Sequence, residues 1–277
     1  DELTNKCSMK KFSRNLEVLE TVEDFGEVDE EIGFRHTIVI YRWNGAVYRG
    51  LSKYRYQSKS EVQRSHLTDI TLIPPEDYCP IFQPHFTLAP DLFLTKGYIK
   101  HPRLSTYQSS CPKQISEQVL TEVEVCEAIR KDPHPNLAQY HGCKVYDGRI
   151  TGLCFTKYNE TLMERVNPKF FSKSSPPSNG LVPLESLKPW LDGIKQGIQH
   201  LHSLGWIHND VNPSNIMFDN DGRPVIIDFD SCRPEGHSLG TTKRTYEWYD
   251  EDAHCADPNN DLKALDDLQA WLSGKMG

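Results

Sequence analysis

The spacing of apolar positions changes along the chain, and each spacing predicts an element. Between Thr37 and Leu51 the sequence reads TIVIYRW, Asn44-Gly45, AVYRGL. Two β-branched and aromatic runs around an Asn-Gly pair predict a hairpin closed by a two-residue type I′ turn. The acidic, weakly periodic residues from 1 to about 35 predict no element. The polar stretch SKYRYQSKSEVQRSH after the hairpin reads as a surface connection. Beyond the Pro-rich IPPEDYCPIFQP, the segment DLFLTKGYIKHP reads as one strand, which puts Lys96 and Lys100 on the same face.

In ISEQVLTEVEVCEAIR the apolar residues Val119, Val123, Cys126 and Ile129 recur at helical spacing. HPNLAQYHGCKVYDGRITGLCFTKY predicts short strands around an Asp147-Gly148 turn, and FSKSSPPSNG (171–180) reads as a mobile loop. Leu187, Leu191, Ile194, Ile198 and Leu201 then form the stripe of a buried helix ending near Gly205. IMFDNDGRPVIIDFDSC reads as two apolar strands around an Asn-Asp-Gly turn. Strands with one long helix fill the first half, and a long helix opens the second. This is an α+β pattern.

Composition narrows the function. A chain of 277 residues with 37% hydrophobic and 25% charged residues describes a soluble globular protein. Its formal charge of −8 argues against a nucleic-acid partner, which needs clustered positive charge. No apolar run is of bilayer-spanning length, and the polar start DELTNKCSMK shows no secretory or transit signal, so no membrane partner is expected. The eight cysteines are dispersed without a Cys-x-x-Cys pair, which points to reduced thiols in the cytoplasm or nucleus. His200 and His202, two apart on a helix, face different sides and make a poor metal site. No sequence signal bears on oligomeric state.

The candidate chemistry lies in HNDVNPSN (208–215), followed by Asp228-Phe229-Asp230. These motifs resemble the H-x-D-x-x-x-x-N catalytic loop and the D-F-G metal motif of protein kinases. The resemblance extends upstream. Tyr98-Ile99-Lys100 resembles the strand carrying the phosphate-binding lysine, and Glu122 stands where a helix glutamate pairs with it. HPNLAQYHG resembles the segment after that helix. GLCFTKYNETL resembles the strand and hinge beside adenine, with Phe155 as gatekeeper and Thr156, Lys157 and Tyr158 as hinge. NDLKALDDLQAWL resembles the helix whose leading Asp, here Asp261, braces the catalytic loop.

The match covers residues from about 90 to 272, and the whole resembles short fungal protein-kinase-like proteins. It implies a bilobal protein-kinase-like fold with a small, mostly β N-lobe containing one long helix, and a shortened, mostly helical C-lobe. Residues 1–68 would be an extension with a β-hairpin, 69–158 the N-lobe and hinge, and 159–277 a truncated C-lobe. The implied cofactors are ATP and Mg²⁺. Asp210 would act as base, Asn215 and Asp228 as metal ligands, Lys100 on the α- and β-phosphates, and Glu122 as its partner.

The pattern also departs from the family. No G-x-G-x-x-G precedes Lys100. GAVYRGLS has P-loop spacing but Leu51 in place of the required lysine, so it reads as the hairpin. Asn209 replaces an Arg, Asn212 replaces the Lys that contacts the γ-phosphate, and Asp230 replaces a Gly. Three readings follow. One is an active serine/threonine-type protein kinase. Another is a small-molecule kinase, as HND and DFD resemble choline-kinase-like and aminoglycoside-kinase-like enzymes. The last is a nucleotide-binding pseudokinase scaffold. The phosphate acceptor is accordingly a protein or small-molecule hydroxyl. Asn209 cannot supply the positive charge that orders a phosphorylated loop, so activity is expected to be independent of phosphate on Thr241, Thr242 or Thr245.

Overall fold

The computed structural model describes residues 16–28, 31–168, 173, 184–240 and 242–274. Thr241 and, apart from Lys173, the loop expected over 171–180 lie outside them. The chain divides into two compact units, Asp1–Pro80 with Pro102–Glu117, and Ile81–His101 with Gln118–Gly277.

The first unit is built on an antiparallel sheet of β1 (Glu17–Val28), β2 (Glu31–Trp43), β3 (Ala46–Ser52) and β4 (Thr68–Ile73), in that order. The hairpin between β2 and β3 turns at Asn44 and Gly45, with φ of 50° and 84°. The run TIVIY lacks strict polar alternation because both faces of β2 are covered. Ile40 packs with Val47, Ile73, Leu104, Tyr107 and Ile115. Val39 and Tyr41 pack on the other face with Val62 and Leu67. Residues 102–117 are tied to this sheet by the Ser105 hydroxyl on Glu20 at 2.7 Å and the Tyr107 hydroxyl on Asp77 at 2.9 Å.

Two expectations change here. Part of the acidic region without periodicity is β1, an edge strand held by its ladder to β2 and by ion pairs such as Glu17–Arg42 and Glu23–Arg55, each 2.7 Å. Charge on an edge strand obscures the apolar alternation but stabilises cross-strand pairing. The break expected at residue 68 coincides with the first residue of β4, which pairs with β3, so the first unit continues to Pro80. Residues on both sides of the expected division at 158/159 belong to the second unit.

In the second unit, α1 (Asp91–Lys96) leads into β5 (Tyr98–Lys100), so the single strand expected over 91–102 is a helix followed by a strand. Pro90 and Asp91 suit a helix start, and Gly97 ends it by donating to the Phe93 carbonyl at 3.0 Å. A side chain at 97 would meet the Phe93 and Phe155 carbonyl oxygens at 2.7 and 2.8 Å. Lys96 therefore sits in the last turn of a helix and Lys100 on a strand.

Helix α2 (Gln114–Lys131) buries Val119, Val123, Cys126 and Ile129 as the periodicity predicts. β6 (Tyr140–Tyr146) and β7 (Arg149–Phe155) join β5 in an antiparallel sheet of order β5-β7-β6. Glu127 of α2 secures the preceding loop by accepting from Thr87 N–H and hydroxyl at 2.6 and 2.9 Å.

The short α3 (Leu162–Val166) is capped reciprocally by Thr161 and Glu164. Helix α4 (Leu184–Ser203) buries the predicted stripe from Leu187 to Leu201. β8 (Trp206–Ile207), β9 (Ile216–Phe218), β10 (Pro224–Ile226) and β11 (Arg233–Pro234) follow, pairing as β9–β10 and β8–β11, and α5 (Pro258–Leu272) comes last. Asn136 anchors β10 through a 2.7 Å bond from its amide to the Pro224 carbonyl. Most of the strand residues lie before Phe155, with α1 and α2 among them, and α4 and α5 lie beyond it beside four short strands, which is consistent with the α+β pattern expected. Among the described residues no helix is long and apolar enough to cross a membrane.

Gly142 interrupts the β6 register at a φ of 129°, and a Cβ there would lie 2.6 Å from Ala89 N and 2.8 Å from Thr87 O, both backbone atoms. Gly142→Ala should therefore destabilise the protein by about 3 kcal/mol. Urea unfolding followed by tryptophan fluorescence checks this, and an unchanged midpoint would contradict the close approach.

Candidate active site

Lys100 ends β5, where it pairs with Leu153 of β7, and its side chain reaches α2. Its ammonium donates to Glu122 Oε1 at 2.6 Å and also to Asp228 Oδ1, with Asp230 Oδ2 3.7 Å away. Glu122 is only 3% exposed. Burial alone would lower the Lys100 pKa, but Glu122, Asp228 and Asp230 outweigh it, and the pKa is raised well above the usual lysine value. Burial raises Glu122 to about 7 against the pull of Lys100. Asp228 is also penalised by burial, yet Lys100 and then Lys243 overcome this and lower its pKa. Lys243 Nζ stands 3.9 Å from Asp228 Oδ2.

The loop after β8 holds the second cluster. Asp261, fully buried on α5, accepts the backbone N–H groups of His208 and Asn209 at 2.8 and 2.7 Å and the His202 ring Nε2 at 2.8 Å. Asn209 adopts a left-handed φ of 63°, a conformation Asn tolerates. Its amide donates to the carbonyls of Ile207 and Ser231, and its Oδ1 accepts from Asn260. That turn delivers Asp210, which is 2% exposed.

Every oxygen of Asp210 has partners. Oδ1 accepts the Thr245 N–H at 2.7 Å. Oδ2 accepts the Thr245 hydroxyl and the Asn215 amide, each at 3.0 Å. The Asn212 amide bridges the Asp210 carbonyl and the Thr245 hydroxyl at 3.0 and 3.1 Å. Burial raises the Asp210 pKa, and the Thr245 hydrogen bonds only partly offset it. With its Nδ2 committed to Asp210, Asn215 turns its Oδ1 away from that carboxylate. Phe229, fully buried between Asp228 and Asp230, sets its ring edge-on to His208 with centroids 6.0 Å apart.

The expected gatekeeper, Phe155, and the three expected hinge positions differ. Phe155 is buried at the end of β7, with its ring 5.6 Å from that of Tyr140. Thr156 spends its N–H on the Gln139 carbonyl at 2.9 Å, and its hydroxyl lies within 3.0 Å of both Gln139 Oε1 and His141 Nε2. The Tyr158 hydroxyl accepts the Gln139 N–H at 3.2 Å, and Lys157 is exposed. Before Lys100, residues 91–96 form α1 where a glycine-bearing hairpin would otherwise precede the lysine strand, and GAVYRGLS is the turn and third strand of the first unit.

The structure thus gathers Lys100, Glu122 and Asp228 into one cluster and Asp210 with Asn215 into a second. Sequence reasoning overlooked Thr245 as a partner of Asp210, Lys243 beside Asp228, and His202 on Asp261. Each lies outside the short motifs, so spacing alone carries no signal for them. His200 bonds elsewhere, to the Asp132 carbonyl at 2.8 Å.

A profile of the protein kinase domain matches residues 99–249, more than half of the chain. The chain is 25% identical over 131 residues to the serine/threonine-protein kinase SSK22 of Saccharomyces cerevisiae, covering 47% of this chain and 9% of that protein. It is 27% identical over 147 residues to the MAP kinase kinase kinase win1 of Schizosaccharomyces pombe, covering 53% and 9%. A shorter stretch of 47 residues is 36% identical to serine/threonine-protein kinase 16 of Mus musculus, covering 17% and 15%. The chain spans less than a fifth of the length of each of these curated relatives. With its buried lysine–glutamate pair and its Asp-Asn loop braced from a distant helix, the chain belongs to the protein kinase domain family.

Proposed function

We propose that the chain is an ATP-dependent phosphotransferase of the serine/threonine protein kinase type, carrying the γ-phosphoryl group to a protein hydroxyl. The observation that carries this reading is the Lys100 ammonium held jointly by Glu122 and Asp228. Burying three charged groups is costly and contributes little net stability, so their retention together favours a chemical task. On this reading the strands β5 to β7 with α2 form a small lobe, Thr156 to Tyr158 the hinge, and the residues from Asn159 a large lobe.

Phosphoryl transfer asks a protein mainly for positioning and for neutralisation of phosphate charge. Lys100 grips the α- and β-phosphates, and Glu122 fixes the direction of its ammonium. Asp210 accepts the proton of the attacking hydroxyl. Its raised pKa makes it a better base than a solvated aspartate, and Asn215 holds its orientation. A hydroxyl can reach Asp210 at Oδ1, which accepts only the Thr245 N–H and keeps an acceptor site, while the Thr245 hydroxyl and Asn215 hold Oδ2.

The Asp228 carboxylate and the Asn215 Oδ1 are hard oxygen donors that suit Mg²⁺. Held by Asp228 and Asn215, Mg²⁺ would supply neutralisation of the nucleotide's phosphate charge.

Asp230, a third carboxylate facing Lys100, favours a second reading, a small-molecule kinase. An acceptor panel of proteins and small alcohols with ATP and Mg²⁺ separates the two, and transfer to neither leaves a nucleotide-binding scaffold.

Asp210→Asn should reduce transfer by about a hundredfold or more while leaving nucleotide affinity intact. Asp228→Asn should abolish transfer and weaken Mg²⁺-dependent nucleotide binding, read by calorimetry. Full transfer by Asp210→Asn would remove the base assignment.

Thr245→Ala should lower kcat about tenfold, roughly 1.4 kcal/mol, through the lost bond to Asp210, and Thr245→Ser should retain activity. Phosphatase treatment of the wild type should change nothing. A loss on phosphatase treatment would show that a phosphate orders this segment.

A further inference from the structure

The transition state of phosphoryl transfer spreads negative charge over the terminal phosphoryl oxygens, next to the base that receives the hydroxyl proton. Lys100 is already shared among three carboxylates. Asn212, beside the base, is uncharged, 1% exposed, and has its amide divided between the Asp210 carbonyl and the Thr245 hydroxyl. The terminal phosphate therefore needs a cation from another part of the chain.

The neighbouring cations are committed elsewhere. Arg244 donates to the carbonyls of Asp250 and Ala253 at 3.1 and 3.2 Å and lies over the Tyr249 ring at 4.1 Å. Arg233 donates to the carbonyls of Asp230 and Cys232. Lys243 differs. Its ammonium lies 3.9 Å from Asp228 Oδ2, its side chain is 41% exposed, and this is its one ion pair among the described residues.

Its backbone is fixed on both sides. The Lys243 carbonyl accepts the Ser231 hydroxyl at 2.6 Å, and Thr245, two residues on, is fastened to Asp210 by two bonds. The side chain thus reaches the Asp228 carboxylate from a segment the site itself holds in place, two residues before the Thr245 that is bonded to the base.

We propose that Lys243 is the second phosphate-gripping cation of this site, contacting the terminal phosphoryl group of bound ATP in the role that Asn212 cannot fill. The inference rests on the phosphotransferase reading. In the free protein the ammonium partners Asp228. With nucleotide bound it exchanges that partner for a γ-phosphate oxygen, a charge-assisted contact stronger than the 3.9 Å pair.

The test is calorimetric titration of the full chain with ATP and with ADP, each with Mg²⁺, for the wild type, Lys243→Met and Lys243→Arg. Wild type should favour ATP over ADP. Lys243→Met should lose about tenfold in ATP affinity, with ADP affinity unchanged within about twofold, and about a hundredfold in kcat. Lys243→Arg should keep most of both. Equal loss of ATP and ADP affinity, or a Met variant that matches wild type in binding and turnover, would overturn the role of Lys243 while leaving the phosphotransferase reading standing. A wild type that binds neither nucleotide would overturn both. Melting curves of the variants should match wild type, because the side chain is half exposed and lies outside the core.

Discussion

One buried ammonium organises the second unit. Lys100 comes from a strand of three residues, Glu122 from the middle of an 18-residue helix, and Asp228 and Asp230 from a single-turn segment over a hundred residues later. The buried Glu122 carboxylate is costly to ionise without a cation, and the Lys100 ammonium is costly to bury without carboxylates beside it. The cluster therefore fixes strand β5 against α2 and draws the Asp228 turn to both. It also explains the directions of the pKa shifts. Lys100 is held protonated, Asp228 is held ionised, and Glu122, the most buried of the carboxylates, carries the electrostatic surplus.

A second constraint acts through the backbone. Asp261 accepts two consecutive N–H groups, of His208 and Asn209, at a turn where Asn209 is left-handed at φ 63°. Asp228 also adopts a left-handed φ, 67°. Such conformations cost about 1–3 kcal/mol each for residues other than glycine. Here the cost falls on an Asn and an Asp, the types that tolerate it best. Both side chains are also used. Asn209 stitches the loop to Ser231, and Asp228 meets Lys100.

These features explain what the sequence made legible. Helical spacing exposed α2 and α4, since apolar residues recur along their buried faces even though α2 also buries Glu122 and Glu127, and Asn44-Gly45 exposed the β2–β3 hairpin. The residues His208, Asp210, Asn215 and Asp228 were visible because one local loop needs them at fixed separations. Contacts between distant segments were not. Thr245 meets Asp210 across 35 positions and Lys243 meets Asp228, and no local pattern records either. Strand β1 was hidden because an edge strand carries its partners as charges rather than as an apolar face. Residues 91–100 were misread because two short apolar runs, Leu92 to Leu94 and Tyr98 to Ile99, have only three residues between them, and periodicity does not register the break at Gly97. Pro90-Asp91 and Gly97 were the signals that mark the helix ends.

The replacement of charged residues by asparagine follows the same logic. At 209 and 212 the side chains sit in buried positions, 5% and 1% exposed, where a cation would need a carboxylate partner. The carboxylates of this loop and its brace, Asp210 and Asp261, are already engaged by backbone N–H groups and by Thr245, Asn215 and His202. An uncharged amide satisfies the loop without adding a charge to bury. On the proposed phosphotransferase reading, the positive charge that phosphate chemistry requires is displaced to residues that remain partly solvated, and Lys243, between the Ser231 and Thr245 anchors, is the residue proposed to supply it.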